Sequence, residues 1–282
     1  MRRFGRVVAV LALTALAAIH VRAQSAADIA RTAAYAAAQQ NADGGFAASP
    51  GQPSTLGATN TGLRVLDYVG GSPLDEPGCI RFVNSCKVPG SGFAHRPGGR
   101  PDVITTAVGL MAAAELKIAD KAMIDDDAYF GANARAFEDV RMSIAGLEAV
   151  GVRSADFARW AEQLEALRTP DGSFGQHPGK AFVTGGVAAA ILRMGMNLEK
   201  RDAVIATIKA GQRPDGAWSK DDGPSDLSSS YRVMRALYML KEKPDVERLT
   251  GYIGRDGLIA VQIHAGSPME VQFKDIQIRV LP

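Results

Sequence analysis

Four short turns carrying a buried-type aromatic recur along the chain, at Phe46, Phe93, Phe174 and Trp218, and they constrain its fold more than any other feature. The fullest version reads QRPDGAW, from Gln212 to Trp218, and an apolar helix signal with Ser225 or Asp226 as N-cap follows it. Phe46, Phe93 and Phe174 each have Pro-Gly four and five residues later, and a helical run after that. The steps between aromatics are 47, 81 and 44 residues, so the long step is two periods. The helix for the unit lacking a turn is supplied by NARAFEDVRMSIAGLEAVG, residues 133–151. A period of this length holds two helices and two connections, which is the mark of a stacked or ring-closed array of helical hairpins.

Apolar spacing of 3.6, with Gly and Pro as stops, predicts two alternating helix sets. One precedes the turns, at 26–39, 74–86, 120–130, 155–167, 199–210 and 245–253. The other follows them, at 55–69, 102–117, 134–150, 181–194 and 226–240, and is richer in small apolar residues such as TTAVGLMAAAEL. The first set is amphipathic, with Arg159, Glu162, Glu165, Lys200, Arg201 and Asp202 on a polar face. The pattern calls for polar helices outside and apolar helices inside. The expected class is all-α, an α/α toroid of six outer and five inner helices whose ring is incomplete, with a short β hairpin at the C-terminus.

The ends differ from this body. Residues 1–23 place Arg2, Arg3 and Arg6 before an apolar run and end on Ala23, the form of a secretory signal, too short to span a membrane comfortably. That segment holds four arginines and no acid, so its removal takes the formal charge from +2 to −2. The expected product is exported, and it has no stable membrane span. Its Lys and Arg are scattered among acids, which excludes a nucleic-acid surface. Cys79 and Cys86 are seven apart; on a helix they are separated by roughly 10 Å of rise, too far for a disulfide, so two buried thiols are expected.

The turns resemble those of the α/α-toroid family that includes squalene and hopene cyclases, other terpenoid cyclases and the β subunits of protein prenyltransferases. Gln212, Gly216 and Trp218 match the cyclase motif Gln-x-x-x-Gly-x-Trp, and Gln40, Gly44 and Phe46 match it with Phe for Trp. The GGFAASPGQPS and SGFAHRPGGRPD turns look more like the prenyltransferase version. The resemblance covers about 26–253 and implies a toroid domain over 24–253. In the turns themselves glycine permits the tight bend, the aromatic fills the space between hairpins, and a polar group caps the next helix, so the motif specifies packing.

The chemistry of the family is less visible. Protein prenyltransferases hold zinc through Asp, Cys and His, but the helix here reads SDLSSSYRVMRAL, with serines where Cys and His would stand and Asp226 as an N-cap. Neither metal nor cofactor is expected. The acid cluster Asp125-Asp126-Asp127 is offset from the cyclase Asp-x-Asp-Asp pattern and reads as a solvated face. Candidate ligand-binding residues form a polar mouth where turns meet the N-termini of inner helices: His95, Arg96, Arg100, His177 and Lys180, with Tyr231, Arg232 and Arg235 further along the fifth inner helix. A diphosphate or carboxylate head bound there would send an apolar tail into the ring, making the partner an isoprenoid-like or other apolar molecule, or a peptide segment. The alternatives are an isoprenoid transferase or cyclase with an unidentified acid, and a non-catalytic scaffold. The scaffold reading comes from the tail, 254–282, whose alternation in RDGLIAVQIHAGSPMEVQFKDIQIRVLP reads as strands and resembles the closing strands of a 3-keto-disaccharide hydrolase jelly roll, a domain of exported carbohydrate-processing systems.

Overall fold

A computed structural model describes residues 26–119 and 126–246. The described chain is helical: α1 (Ala26–Ala37), α2 (Leu56–Tyr68), α3 (Glu76–Ser85), α4 (Val103–Glu115), α5 (Asp126–Asn133), α6 (Phe137–Ala149), α7 (Phe157–Glu165), α8 (Lys180–Arg193), α9 (Arg201–Ala210) and α10 (Leu227–Met239). The expected helices over 26–240 are all present, with ends shifted by up to about three residues, as fraying and capping allow. The helix expected over 120–130 is the exception in register. Its described part runs on to Asn133, and α6 therefore begins at Phe137 rather than Ala134. The sixth outer helix expected over 245–253, the signal segment and the strand-like tail lie outside the described residues, apart from Asp245 and Val246.

Side-chain caps start three of the five inner helices. Thr55, Asp102 and Asp226 each accept the backbone N–H three residues on, at Ala58, Thr105 and Ser229. The inner helices then pack in chain order, α2 on α4, α4 on α6, α6 on α8 and α8 on α10, while each outer helix lies against the inner helices beside it. Burial separates the layers: nine of the fourteen residues of α8 are buried, against Val204 and Ile208 alone in the ten-residue α9.

The turn aromatics sit in the core, with Phe46, Phe93 and Phe174 at 0% exposure and Trp218 at 1%. Each is held from behind by a hydroxyl on its own inner helix. The backbone N–H groups of Phe46, Phe93, Phe174 and Trp218 donate to Thr59, Thr106, Thr184 and Ser230. Beneath two of the rings the inner helix has glycine: a Cβ at Gly62 would lie 2.5 Å from Phe46 and one at Gly109 would lie 2.3 Å from Phe93. Gly44 and Gly216 take φ of 86° and 83° in the turns, a left-handed conformation that favours glycine.

The residue four before the turn carbonyl grips that carbonyl, and in the first and last turns it also joins one unit to the next. Gln40 donates to the Gly44 carbonyl and also pairs with the backbone of Asp75, donating to its carbonyl at 2.8 Å and accepting its N–H at 2.9 Å. Gln212 does the same with Gly216 and Val246. Lys87 and Arg168 occupy this position in the middle turns, grip the Ser91 and Gly172 carbonyls, and lie over the rings of Phe93 and Phe174 at 5.1 and 4.3 Å.

Candidate functional site

The inner wall differs from the apolar surface expected of it, because every inner helix contributes charge to a common centre. Near the N-terminal end of the ring, Glu138 of α6 receives Arg232 of α10 in a forked pair, Nη1 to Oε1 at 2.6 Å and Nη2 to Oε2 at 2.9 Å. Arg141 binds the same carboxylate at 2.9–3.0 Å. The pair reaches from α6 to α10 across the face of α8, where Arg232 stacks 3.8 Å from the Phe182 ring centroid. Gly186 of α8 leaves the room for this crossing, since a Cβ there would meet Phe137, Arg232 and Arg141 at 3.0–3.4 Å. Burial raises the Glu138 carboxyl, but the two arginines outweigh it and hold the group below the ordinary carboxylate range.

Toward the C-terminal ends of the inner helices lies a second tier. Arg64 of α2 pairs with Glu115 of α4 at 3.0 Å, and Arg193 of α8 with Glu148 of α6 at 2.9 Å. The second contact is an ion pair without hydrogen-bond alignment at Arg193 Nε. Arg235 of α10, 7% exposed, packs over Tyr238 at 5.6 Å. Burial, together with the neighbouring charges of Arg235, Arg141 and Arg64, lowers the Arg193 guanidinium to about 10 against the pull of Glu148. Burial likewise lowers Arg235, which feels Arg64 and Tyr68 as well as Glu148 and Tyr238. That mutual influence brings α2, α4, α6, α8 and α10 around one space. Arg64, Arg141, Arg193, Arg232 and Arg235 meet Glu115, Glu138 and Glu148 in these contacts.

The structure divides the sequence-derived mouth in two. His95, Arg96, Arg100 and His177 are exposed on turns, and Lys180 is tied to Asp171. The His95 carbonyl accepts the Leu56 N–H at the start of α2, roughly 12 Å of helical rise before Arg64. Tyr231, half-buried, and Arg235 belong instead to α10, one turn apart on a shared face, with Arg232 between them. Six of the eight wall charges went unremarked in the sequence. Their signal was there to read: isolated Arg or Glu within otherwise small and apolar helices, as in TGLRVL, AAAEL and AAAILR.

The zinc set of the prenyltransferases does not fit these residues. Asp226 spends one carboxylate oxygen on the Ser229 N–H at 2.8 Å and the other on the Ser229 hydroxyl at 2.6 Å, and Ser230 serves the Trp218 turn. Among the described residues no three His, Cys, Asp or Glu side chains converge as metal ligands. Cys79 and Cys86 are free buried thiols of α3 and its C-cap, pushed up to about 12 chiefly by burial. Asp127, expected on a solvated face, is instead half-buried, with one carboxylate oxygen enclosed and lacking a hydrogen-bond partner. No described helix is long and apolar enough to cross a membrane.

This fold and wall define a helical toroid with a charged interior. The prenyltransferase alpha-alpha toroid domain matches residues 3–83, 59–136 and 140–258, and the chain belongs to that family. No curated protein matches it. Among solved structures, ent-copalyl diphosphate synthase from Streptomyces platensis is similar, at 21% identity and TM-score 0.46, over 67% of this chain and 41% of that enzyme. The chain thus spans about two fifths of that enzyme's length.

Proposed function

We propose that the protein is an exported binding member of the toroid family. Its ring takes an isoprenoid-like amphiphile with an anionic head, and it does not carry out zinc-dependent prenyl transfer. The observation that supports this is the wall of five arginines against three glutamates, gathered from all five inner helices. Taking guanidinium groups out of water is costly, and an anionic head group offsets part of that cost. A cyclase acid would need a carboxyl that keeps its proton at working pH. Glu115, Glu138 and Glu148 are each paired with arginine, and Glu138 is held well ionised, which argues against that role. Zinc chemistry needs three or four converging N or S ligands, and the serines of α10 supply none.

Lipid extraction and mass spectrometry of the gently purified protein, followed by thermal melts with farnesyl diphosphate and farnesol, tests the reading. A co-purifying amphiphile, or a raised midpoint with the diphosphate, is expected, with zinc far below one equivalent by elemental analysis. An empty extract with no response to either isoprenoid overturns the ligand assignment. One equivalent of zinc lost on Asp226→Ala overturns the rest.

A further inference from the structure

We infer that residues 269–282 lie over the seam of the ring, between α10 and α2, and supply the stretch of inner wall that the helices leave open there. The inner helices pack in series from α2 to α10, but among the described residues α10 does not pack closely back on α2. Each of these two helices therefore keeps a side toward the other that no inner helix covers. On α10 the side toward α8 is marked by Val233 and Ala236, which a Cβ at Gly185 would meet at 3.2 and 3.7 Å. Across the helix from them Leu227 and Met234, both half-buried, stand a heptad apart, with Tyr231 and Tyr238 interleaved at the same helical spacing. On α2 the half-buried Ala58, Thr61 and Val65 lie opposite the buried Leu56 and Leu63. Both sides are small or apolar, and an apolar segment laid over them takes them out of water.

The occupant is indicated by where the chain goes after α10. Glu242 pairs with Arg201 at 3.7 Å and with Lys209 at 3.3 Å, and Asp245 pairs with Lys209 at 3.7 Å, so the chain turns back along α9 in the outer layer. Val246 is then clipped by Gln212 as Asp75, the N-cap of α3, is clipped by Gln40. The residues that follow thus leave from the position at which an outer helix begins. Successive inner helices start at 56, 103, 137, 180 and 227, in steps of 34–47 residues, and one further step of that size reaches 261–274. The apolar run of Met269, Val271, Phe273, Ile276, Ile278 and Val280 starts inside that window. The register of the repeats therefore brings this run to the seam. Its tether to Val246 gives it a high effective concentration there, which favours it over the same segment of a second copy.

The test is hydroxyl-radical footprinting of the full chain, read by mass spectrometry against the same chain unfolded in urea, with light scattering to establish the oligomeric state. In the monomer Met234 and Met269 are expected to be protected several-fold, while Tyr35, 53% exposed on α1, is not. The full-chain variant Phe273→Asp with Ile276→Asp should raise Met234 oxidation about threefold or more and leave Tyr35 unchanged, with circular dichroism showing the helices retained. Thr61→Arg places a charge on the α2 side of the seam and should raise the oxidation of Met269. Met234 as reactive in the native monomer as in urea overturns the inference. So does Met234 oxidation unmoved in the folded double variant or, where that variant does not fold, Met269 oxidation unmoved in Thr61→Arg. If the protection of Met234 disappears on dilution together with a dimer, a second copy covers the seam and the assignment to this chain's own residues falls.

Discussion

Replacing Trp218 by alanine tests whether the turn aromatics are what joins hairpin to hairpin. The indole is 1% exposed, and its Nε1–H donates to the Ile208 carbonyl at 2.8 Å. Ile208 lies in the last turn of α9, where carbonyls lack helical partners, so the indole both fills space and satisfies an orphan acceptor. A buried indole of about 200 Å² at about 25 cal/mol per Å² is worth about 5 kcal/mol. Large-to-small core replacements at such sites cost about 3–5 kcal/mol, and about 4 kcal/mol is the expectation for Trp218→Ala. At about 2–4 °C per kcal/mol for a domain of this size, the melting midpoint should fall by about 8–16 °C. Trp218→Phe keeps a ring where three other units use phenylalanine, so it should lose chiefly the Ile208 partner, about 1–2 kcal/mol. Circular dichroism melts of both variants decide the matter. An unchanged midpoint for Trp218→Ala, or a Phe variant as damaged as the Ala variant, would show that the aromatic does not bridge the units.

Two other substitutions probe the wall and the turn packing. Glu138→Gln should cost about 1–2 kcal/mol at neutral pH, discounted because the carboxylate side chain is 39% exposed. Because the folded protein holds this carboxyl below its usual 4.5, the difference from the unmodified protein should be complete above that pH and shrink as the pH falls further; a difference that persists in acid contradicts the pairing. Gly109→Ala sets a methyl 2.3 Å from the Phe93 ring and should cost about 1–3 kcal/mol, whereas Gly57→Ala, with nothing within 4 Å, should be neutral or stabilising by chemical denaturation.

The parts of this fold that were legible in the sequence are those specified locally. Pro-Asp-Gly turns, N-caps such as Asp102 and Asp226, and the 3.6 spacing all act within a few residues, and they gave ten helices in the right order. The hydroxyl four or five residues after each N-cap, at Thr59, Thr106, Thr184 and Ser230, is equally local and passed unread, although it holds all four aromatics. The charged wall belongs to another class. Its pairs join Arg64 to Glu115 and Arg232 to Glu138, 51 and 94 residues apart, so only ring geometry brings them together. From sequence a charge among small residues of an inner helix has no visible partner. The exposed cations of the turns are easier to notice, so the expected mouth includes His95, Arg96, Arg100, His177 and Lys180 beside Tyr231, Arg232 and Arg235 of the inner helix.

The departures from the Gln-x-x-x-Gly-x-Trp pattern in the middle turns are explained by what that first residue must hold. In every turn it grips the carbonyl four residues on, at Gly44, Ser91, Gly172 or Gly216, which any long side chain with an N–H donor can do. Only an amide can add the second task, since it alone donates to and accepts from the same backbone unit, as Gln40 does at Asp75 and Gln212 at Val246. Lysine and arginine have no acceptor and cannot make that clip. They lay their charge over the face of their own turn's phenylalanine. Asp75 is the N-cap of α3, so the clip fixes where the following outer helix begins. Joints made by glutamine are therefore set through backbone hydrogen bonds between units. The motif glutamine thus joins its unit to the chain that follows, a structural role independent of any ligand in the ring.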